Sequence, residues 1–264
     1  MLNNPVKPQA HKIIDILKQT DAEWTFRVEN ELPIRHGQFM QLSLPKIGEA
    51  PISISGFGDG YADFTIRKVG KVTDELFNLK KGSNIFIRGC YGNGWPTEQL
   101  KGKKVVIIAG GTGVSPVKSL INQLYSEPGY AKEIYLILGF KNSQSILFTD
   151  ELEQWKQAGH FHVICTLDNE DYPGWNKGMV TEFVKEIPFS SFGGNYECLV
   201  VGPPVMMKFA AKSLLEHQFP RIKSGCPLRG KCPAPSANAD IAELTKLMSV
   251  WTGLYLIIRS EKNW

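Results

Sequence analysis

The sequence predicts two domains in tandem, an N-terminal antiparallel β-barrel followed by a doubly wound α/β domain built on a parallel sheet. Three observations predict it. The N-terminal part of the chain holds short strand-like segments broken by turn residues. From Lys103 onward the texture changes to continuous apolar runs that alternate with helical stretches, the pattern of strands buried on both faces. The first of those runs ends in Gly-Gly-Thr-Gly-Val-Ser-Pro, a glycine turn leading into a helix.

The barrel strands are expected at 23–29 (EWTFRVE), 38–44 (QFMQLSL), 51–55, 62–68 and 84–88. The domain boundary is placed near residue 100, at the Lys-rich EQLKGKK, giving domains at 1–100 and 101–220 and a tail at 221–264. In the second domain VVIIA at 105–109 is the first strand. After the glycine turn, Leu120, Ile121 and Leu124 share one face of a helix over 117–125. IYLILGF (134–140), HVICTL (162–167) and ECLVVG (197–202) are further buried strands, with helices at about 149–158 and 204–217.

The chain has 264 residues, 42% apolar and 21% charged, which is globular composition and excludes disordered and collagen-like classes. No run reaches the length of a membrane span, and the first residues lack the apolar stretch of a secretory signal, so a cytoplasmic location is expected. Five cysteines at scattered spacing do not read as an extracellular disulfide framework. The formal charge of +4 suggests nucleic acid only until it is located: residues 1–220 balance at 23 against 23, and the excess falls in the tail. No nucleic-acid partner is expected.

A dinucleotide pyrophosphate needs close backbone approach and unpaired helix-start amides. Gly110, Gly111, Thr112 and Gly113 offer both at a strand-to-helix turn, and Pro116 fits the first helical turn without breaking it. The G-x-G-x-x-G fingerprint is absent. Gly-Gly-Thr-Gly-Val-Ser-Pro, followed at the end of the last strand by Gly202, Pro203, Pro204 and Met206, resembles the nicotinamide-binding domain of the ferredoxin reductase superfamily. In that superfamily the second loop borders the nicotinamide and a Cys commonly precedes its Gly-Pro. Val201 stands there in this chain, a departure that bears on the rate of hydride transfer and not on dinucleotide binding.

The barrel half carries the matching flavin resemblance. APISIS at 50–55 resembles the R-x-Y-S segment that lines the flavin ring, which implies roles for Pro51, Ser53 and Ser55, with Ala50 in place of the usual Arg. Arg67, Gly70, Lys71, Val72 and Thr73 resemble the segment that meets the FAD pyrophosphate, and Thr73 is read as the N-cap of a short helix. Together with GQFMQLSLP, RGCYGNGWP, LGFKN and VVGPPVMMKF, these segments are similar over residues 10 to about 220 to the anaerobic sulfite reductase B-subunit family. Dihydroorotate dehydrogenase electron-transfer subunits and sulfhydrogenase gamma subunits share that architecture.

The resemblance implies FAD, NAD(P)H with NADH favoured, and catalytic and iron–sulfur subunits of a sulfite reductase complex as partners. Alternative readings are a dihydroorotate-oxidising or hydrogenase partner, or a dinucleotide-binding module without electron transfer. Hydride transfer requires no acid, base or nucleophile, and no catalytic side chain or metal ligand is assigned. His36, His160 and His162 read as structural, Asp150 and Glu151 as exposed charges at a helix start, and Lys141 as solvated.

Members of the resembled family end in four cysteines that hold a 2Fe–2S cluster. This tail has only Cys226 and Cys232, too few for that site. A shifted reading frame over 224–260 permits a C-x4-C-x2-C-x7-C pattern, so either a frameshift near 221–224 or a divergent tail accounts for 221–264. The tail is expected not to have been selected to pack on the rest, and its WTGLYLII run to be β-prone.

Overall fold

A computed structural model describes residues 7–218 and 255–259. The first domain is a closed six-stranded antiparallel barrel in the order β1-β2-β5-β4-β3-β6. Its strands are β1 (Gln9–Lys18), β2 (Glu23–Glu29), β3 (Phe39–Leu44), β4 (Gly48–Gly58), β5 (Tyr61–Arg67) and β6 (Asn84–Tyr91). Alternation does the folding work: Met40, Leu42 and Leu44 of β3 point inward between outward Phe39, Gln41 and Ser43. With Phe26, Ile54, Phe64 and Ile85 they fill the barrel. The short helix α1 (Lys71–Leu76) covers one end, packing beside β4 and β3.

β1 is the barrel strand that the sequence reading did not find. Its Ile-Ile-Asp-Ile-Leu run breaks the period of two because the pairing with β2 shifts between Ile13 and Asp15, a bulge that puts two residues opposite one. The strand is nevertheless essential to closure, pairing with β2 on one side and β6 on the other.

After α2 (Thr97–Leu100) the chain enters a mostly parallel sheet. Its strands are β7 (Lys104–Gly110), β8 (Glu133–Phe140), β9 (Phe161–Leu167), β10 (Asn176–Lys177) and β11 (Tyr196–Val201), with β12 (Tyr255–Arg259) at the edge. The order is β10-β9-β8-β7-β11-β12, parallel throughout except for antiparallel β12. Val105, Ile107 and Ala109 face one layer, which includes α3 (Ser115–Ser126) and α4 (Thr149–Gln157). Val106 and Ile108 face the other, which includes α5 (Pro204–Gln218). Burial on both faces is why these strands read as continuous apolar runs.

The pairing of β12 with β11 places part of the β-prone run of the tail at the sheet edge. Tyr255 to Arg259 run antiparallel against Val201 to Glu197. A β-prone apolar segment satisfies an open sheet edge through backbone hydrogen bonds, which demand little of side-chain fit. The remainder of the tail, including Cys226 and Cys232, lies outside the described residues.

Candidate dinucleotide and flavin site

The site is built where β7 ends. Residues Gly111–Val114 form a 3-10 turn that passes directly into α3, with Pro116 in the first helical turn. Gly111 has φ +55 and nothing within 4 Å of where a Cβ would stand, so the turn presents bare backbone to open space. Gly113 is required for another reason. A Cβ there would stand 2.6 Å from the Val201 carbonyl oxygen and 2.7 Å from Gly202 Cα. The glycine turn and the 202–206 loop are thus pressed backbone to backbone, and Met206 Sδ closes on Gly110. Both lie at the C-terminal edge of the parallel sheet, where open α/β sheets take their ligands.

The barrel strand β4 faces this edge, because α3 packs against it. Trp95 fastens the junction: its Nε1–H donates to the Pro116 carbonyl at 2.8 Å, and its backbone N–H to the His36 carbonyl at 2.6 Å. Pro51 and Ser53 sit on β4 with partly open side chains, whereas Ser55 is fully buried. The Ser55 hydroxyl donates to the Asp63 carbonyl and accepts from Thr65. It belongs to the barrel interior, unlike the ring-lining role that the resemblance implies.

Thr73 is also placed differently. Gly70 is the N-cap of α1, and Thr73, at the third helical position, reaches back so that its Oγ1 accepts from the N–H groups of Val69 (2.9 Å) and Gly70 (3.0 Å). The hydroxyl donates in turn to the Gly70 carbonyl. A side chain one turn inside the helix can tie the turn as firmly as a cap residue. Lys71 is exposed and Val72 lies against Gly48, so 70–73 sits beside β4. Arg67 is half-exposed and its Nε donates to Glu23, a buried carboxylate that also accepts from Thr20.

The exposed-charge reading holds for Asp150, but Glu151 accepts from the buried Lys118 of α3 at 2.7 Å. That pairing was invisible in the sequence because the partners are 33 positions apart. Lys141 is exposed. Burial lowers the pKa of His36, while His160 contacts the Leu124 carbonyl and His162 stacks on Tyr135, consistent with structural roles. At the ends of β8 and β9, Glu170 accepts from the Ser143 N–H and hydroxyl, which lowers its pKa. Asp168 nearby is raised by burial against the opposing pull of Lys141.

Sequence reasoning also missed Ser115, which is buried at the start of α3 with its Oγ lacking a partner among the described residues. Its position directly after the glycine turn was the available signal.

Residues 107–212 match the family model described as the oxidoreductase NAD-binding domain. The chain is 30% identical over 230 residues to sulfhydrogenase 1 subunit gamma of Pyrococcus furiosus, covering 82% of this chain and 78% of that one. The chain belongs to the ferredoxin reductase-like NAD-binding family. A second relative in that family is a probable dihydroorotate dehydrogenase B (NAD(+)) electron transfer subunit of Methanocaldococcus jannaschii, 29% identical over 86% of this chain and 83% of its own.

The ferredoxin reductase-like fold is equally plain in solved structures. A ferredoxin NADP+ reductase from Neisseria gonorrhoeae with bound FAD and NADP superposes with a TM-score of 0.69 at 17% identity, over 80% of this chain and 92% of that one. The cytochrome b5 reductase domain of Ulva prolifera nitrate reductase gives 0.67 at 23% identity, over 81% and 94%. Among the described residues no group of His, Cys, Asp and Glu is placed to hold a metal ion, and no helix is long and apolar enough to cross a membrane.

Proposed function

We propose that this chain is the NAD(P)H-oxidising flavoprotein subunit of an electron-transfer complex. The observation that carries the reading is the close packing of the glycine turn on the 202–206 loop, at the sheet edge that faces β4. The residues fit a dinucleotide: Gly111 offers open backbone, and the orphaned Ser115 hydroxyl would gain a partner from a bound polar group. Gly110, Thr112, Gly113 and Pro116 would hold it from one side, and Gly202, Pro203 and Met206 from the other.

FAD fits the barrel side, with Pro51 and Ser53 along the ring and Arg67, Gly70, Lys71, Val72 and Thr73 toward the pyrophosphate. When bound, FAD supplies the conversion between two-electron hydride chemistry and one-electron transfer. The chain's own task is to orient and to exclude water. Trp95 and α3 hold β4 against the dinucleotide turn, and no side chain need accept a proton for hydride to move.

The 2Fe–2S cluster of the resembled family does not fit this chain, whose tail offers two thiols where four are needed. Single electrons are therefore passed to a centre held by a partner. Sulfite reductase subunits are the partners favoured by the similarity of GQFMQLSLP and RGCYGNGWP to that family, and the complex is placed in the cytoplasm. The named relatives support a hydrogenase or dihydroorotate-oxidising partner as the second reading. NADH is favoured over NADPH because the carboxylates of Asp168 and Glu170 would repel a ribose 2′-phosphate at the ends of β8 and β9.

The test is the absorbance spectrum of anaerobically purified protein with and without NADH. Flavin bands that bleach on addition are expected, faster with NADH than with NADPH. Protein without flavin would leave a dinucleotide-binding module instead. Assaying the native complex with sulfite, protons and orotate as acceptors identifies the partner.

A further inference from the structure

The two domains are joined by a closed circuit of contacts that runs through the packing of α3 on β4. It begins at Phe148, one of two non-glycine residues with positive φ among those described (φ 58), buried at the start of α4. As the residue flanking the helix, Phe148 has an N–H outside the α4 ladder. That N–H crosses to the barrel and donates to Gln19 Oε1 at 3.0 Å. Gln19 Nε2 donates to Thr25 Oγ1 at 3.2 Å, Thr25 and Thr65 hydroxyls meet at 2.8 Å, and Thr65 donates to Ser55 Oγ at 2.8 Å. Ser55 ends the run on the Asp63 carbonyl.

The proton directions follow from the inventory of donors. Each hydroxyl has one proton, so the donation from Thr65 to Ser55 makes Thr25 the donor between the two threonines. The Phe148 N–H fixes the amide of Gln19 with its oxygen toward α4 and its nitrogen toward Thr25. Every bond in the run then points the same way, the arrangement in which hydrogen bonds strengthen one another. Ser55 lies on β4, against which α3 packs, and α3 returns to Phe148 through Lys118, whose Nζ sits 4.9 Å over the Phe148 ring.

We infer that Gln19 is a positioning residue whose amide sets the spacing between β4 and the dinucleotide turn that opens α3. The inference rests on the hydride-transfer reading above, because a small error in that spacing matters only where two reacting groups must meet at near-contact distance. Gln19 meets the requirement with one acceptor for the nucleotide domain and one donor for the barrel, which neither Leu nor Lys provides.

The experiment compares the full chain with Gln19→Leu and Gln19→Glu. Stopped-flow bleaching of the flavin by NADH reads the spacing, and hydrogen–deuterium exchange of a peptide spanning 146–152 reads the Phe148 amide. Gln19→Leu is expected to keep its flavin and its NADH affinity within about twofold, to bleach about tenfold more slowly, and to exchange the Phe148 amide faster. Gln19→Glu keeps an acceptor for Phe148 but has no N–H for Thr25, whose one proton already goes to Thr65, so it is expected to keep the Phe148 amide protected and to lose less rate than Gln19→Leu. A wild-type rate in Gln19→Leu, an unchanged exchange rate, or equal losses in the two variants would overturn the inference. Wild-type protein that holds no flavin or is not bleached would instead sink the hydride reading, and the exchange comparison alone then decides whether Gln19 holds the seam.

Discussion

Gly113 has backbone atoms, not side chains, in the space that a Cβ would occupy. Nothing there can swing aside, so Gly113→Ala must separate the glycine turn from the 202–206 loop. We expect a loss of about 1–3 kcal/mol in urea unfolding and at least about tenfold weaker NADH binding by titration. His36 makes a different demand. Burial keeps its folded pKa below the unfolded value of 6.5, so below that pH the unfolded state binds more protons than the folded one. Stability contributed by neutral His36 is complete above 6.5 and is lost as pH falls toward the folded pKa. The melting temperature should therefore decline between pH 7 and pH 5, with a shallower slope in His36→Gln.

Elements are locked to one another by a few polar pairs inside apolar packing. Trp95→Phe keeps an aromatic ring but removes the indole N–H that donates to the Pro116 carbonyl, and a loss of about 1 kcal/mol in unfolding free energy is expected. Glu151→Gln should cost more, because it takes the carboxylate partner from Lys118, which is buried between α3 and α4. A destabilisation of about 2 kcal/mol, read from the same unfolding curves, is the expected result, and Lys118→Met with Glu151→Gln should recover part of it. The elements themselves were largely legible in the sequence. Strand runs such as 134–140 and the helix after the glycine turn lie within a residue or two of their observed bounds, since burial on two faces and a single apolar helical stripe leave plain patterns. β1 was not legible, because its bulge erases the alternation by which strands are read.

In the whole molecule, β12 protects the edge of a sheet whose neighbouring strand, β11, is buried along its length. A chain ending after Gln218 would expose the backbone groups of β11 and should show greater light scattering on concentration and a lower melting temperature.

The sequence by itself determined the two-domain order, the barrel-then-parallel-sheet architecture and the glycine turn of the candidate site. Those features follow from local rules: side-chain periodicity and the need for glycine where backbones approach closely. Only the tertiary structure decided that Ser55 turns inward, that Thr73 ties its helix from within, that Glu151 serves a buried lysine and that Gln19 reaches across the domain seam. Each depends on a partner far away in the chain or on which face of an element a side chain takes, and neither is written in the spacing of residues.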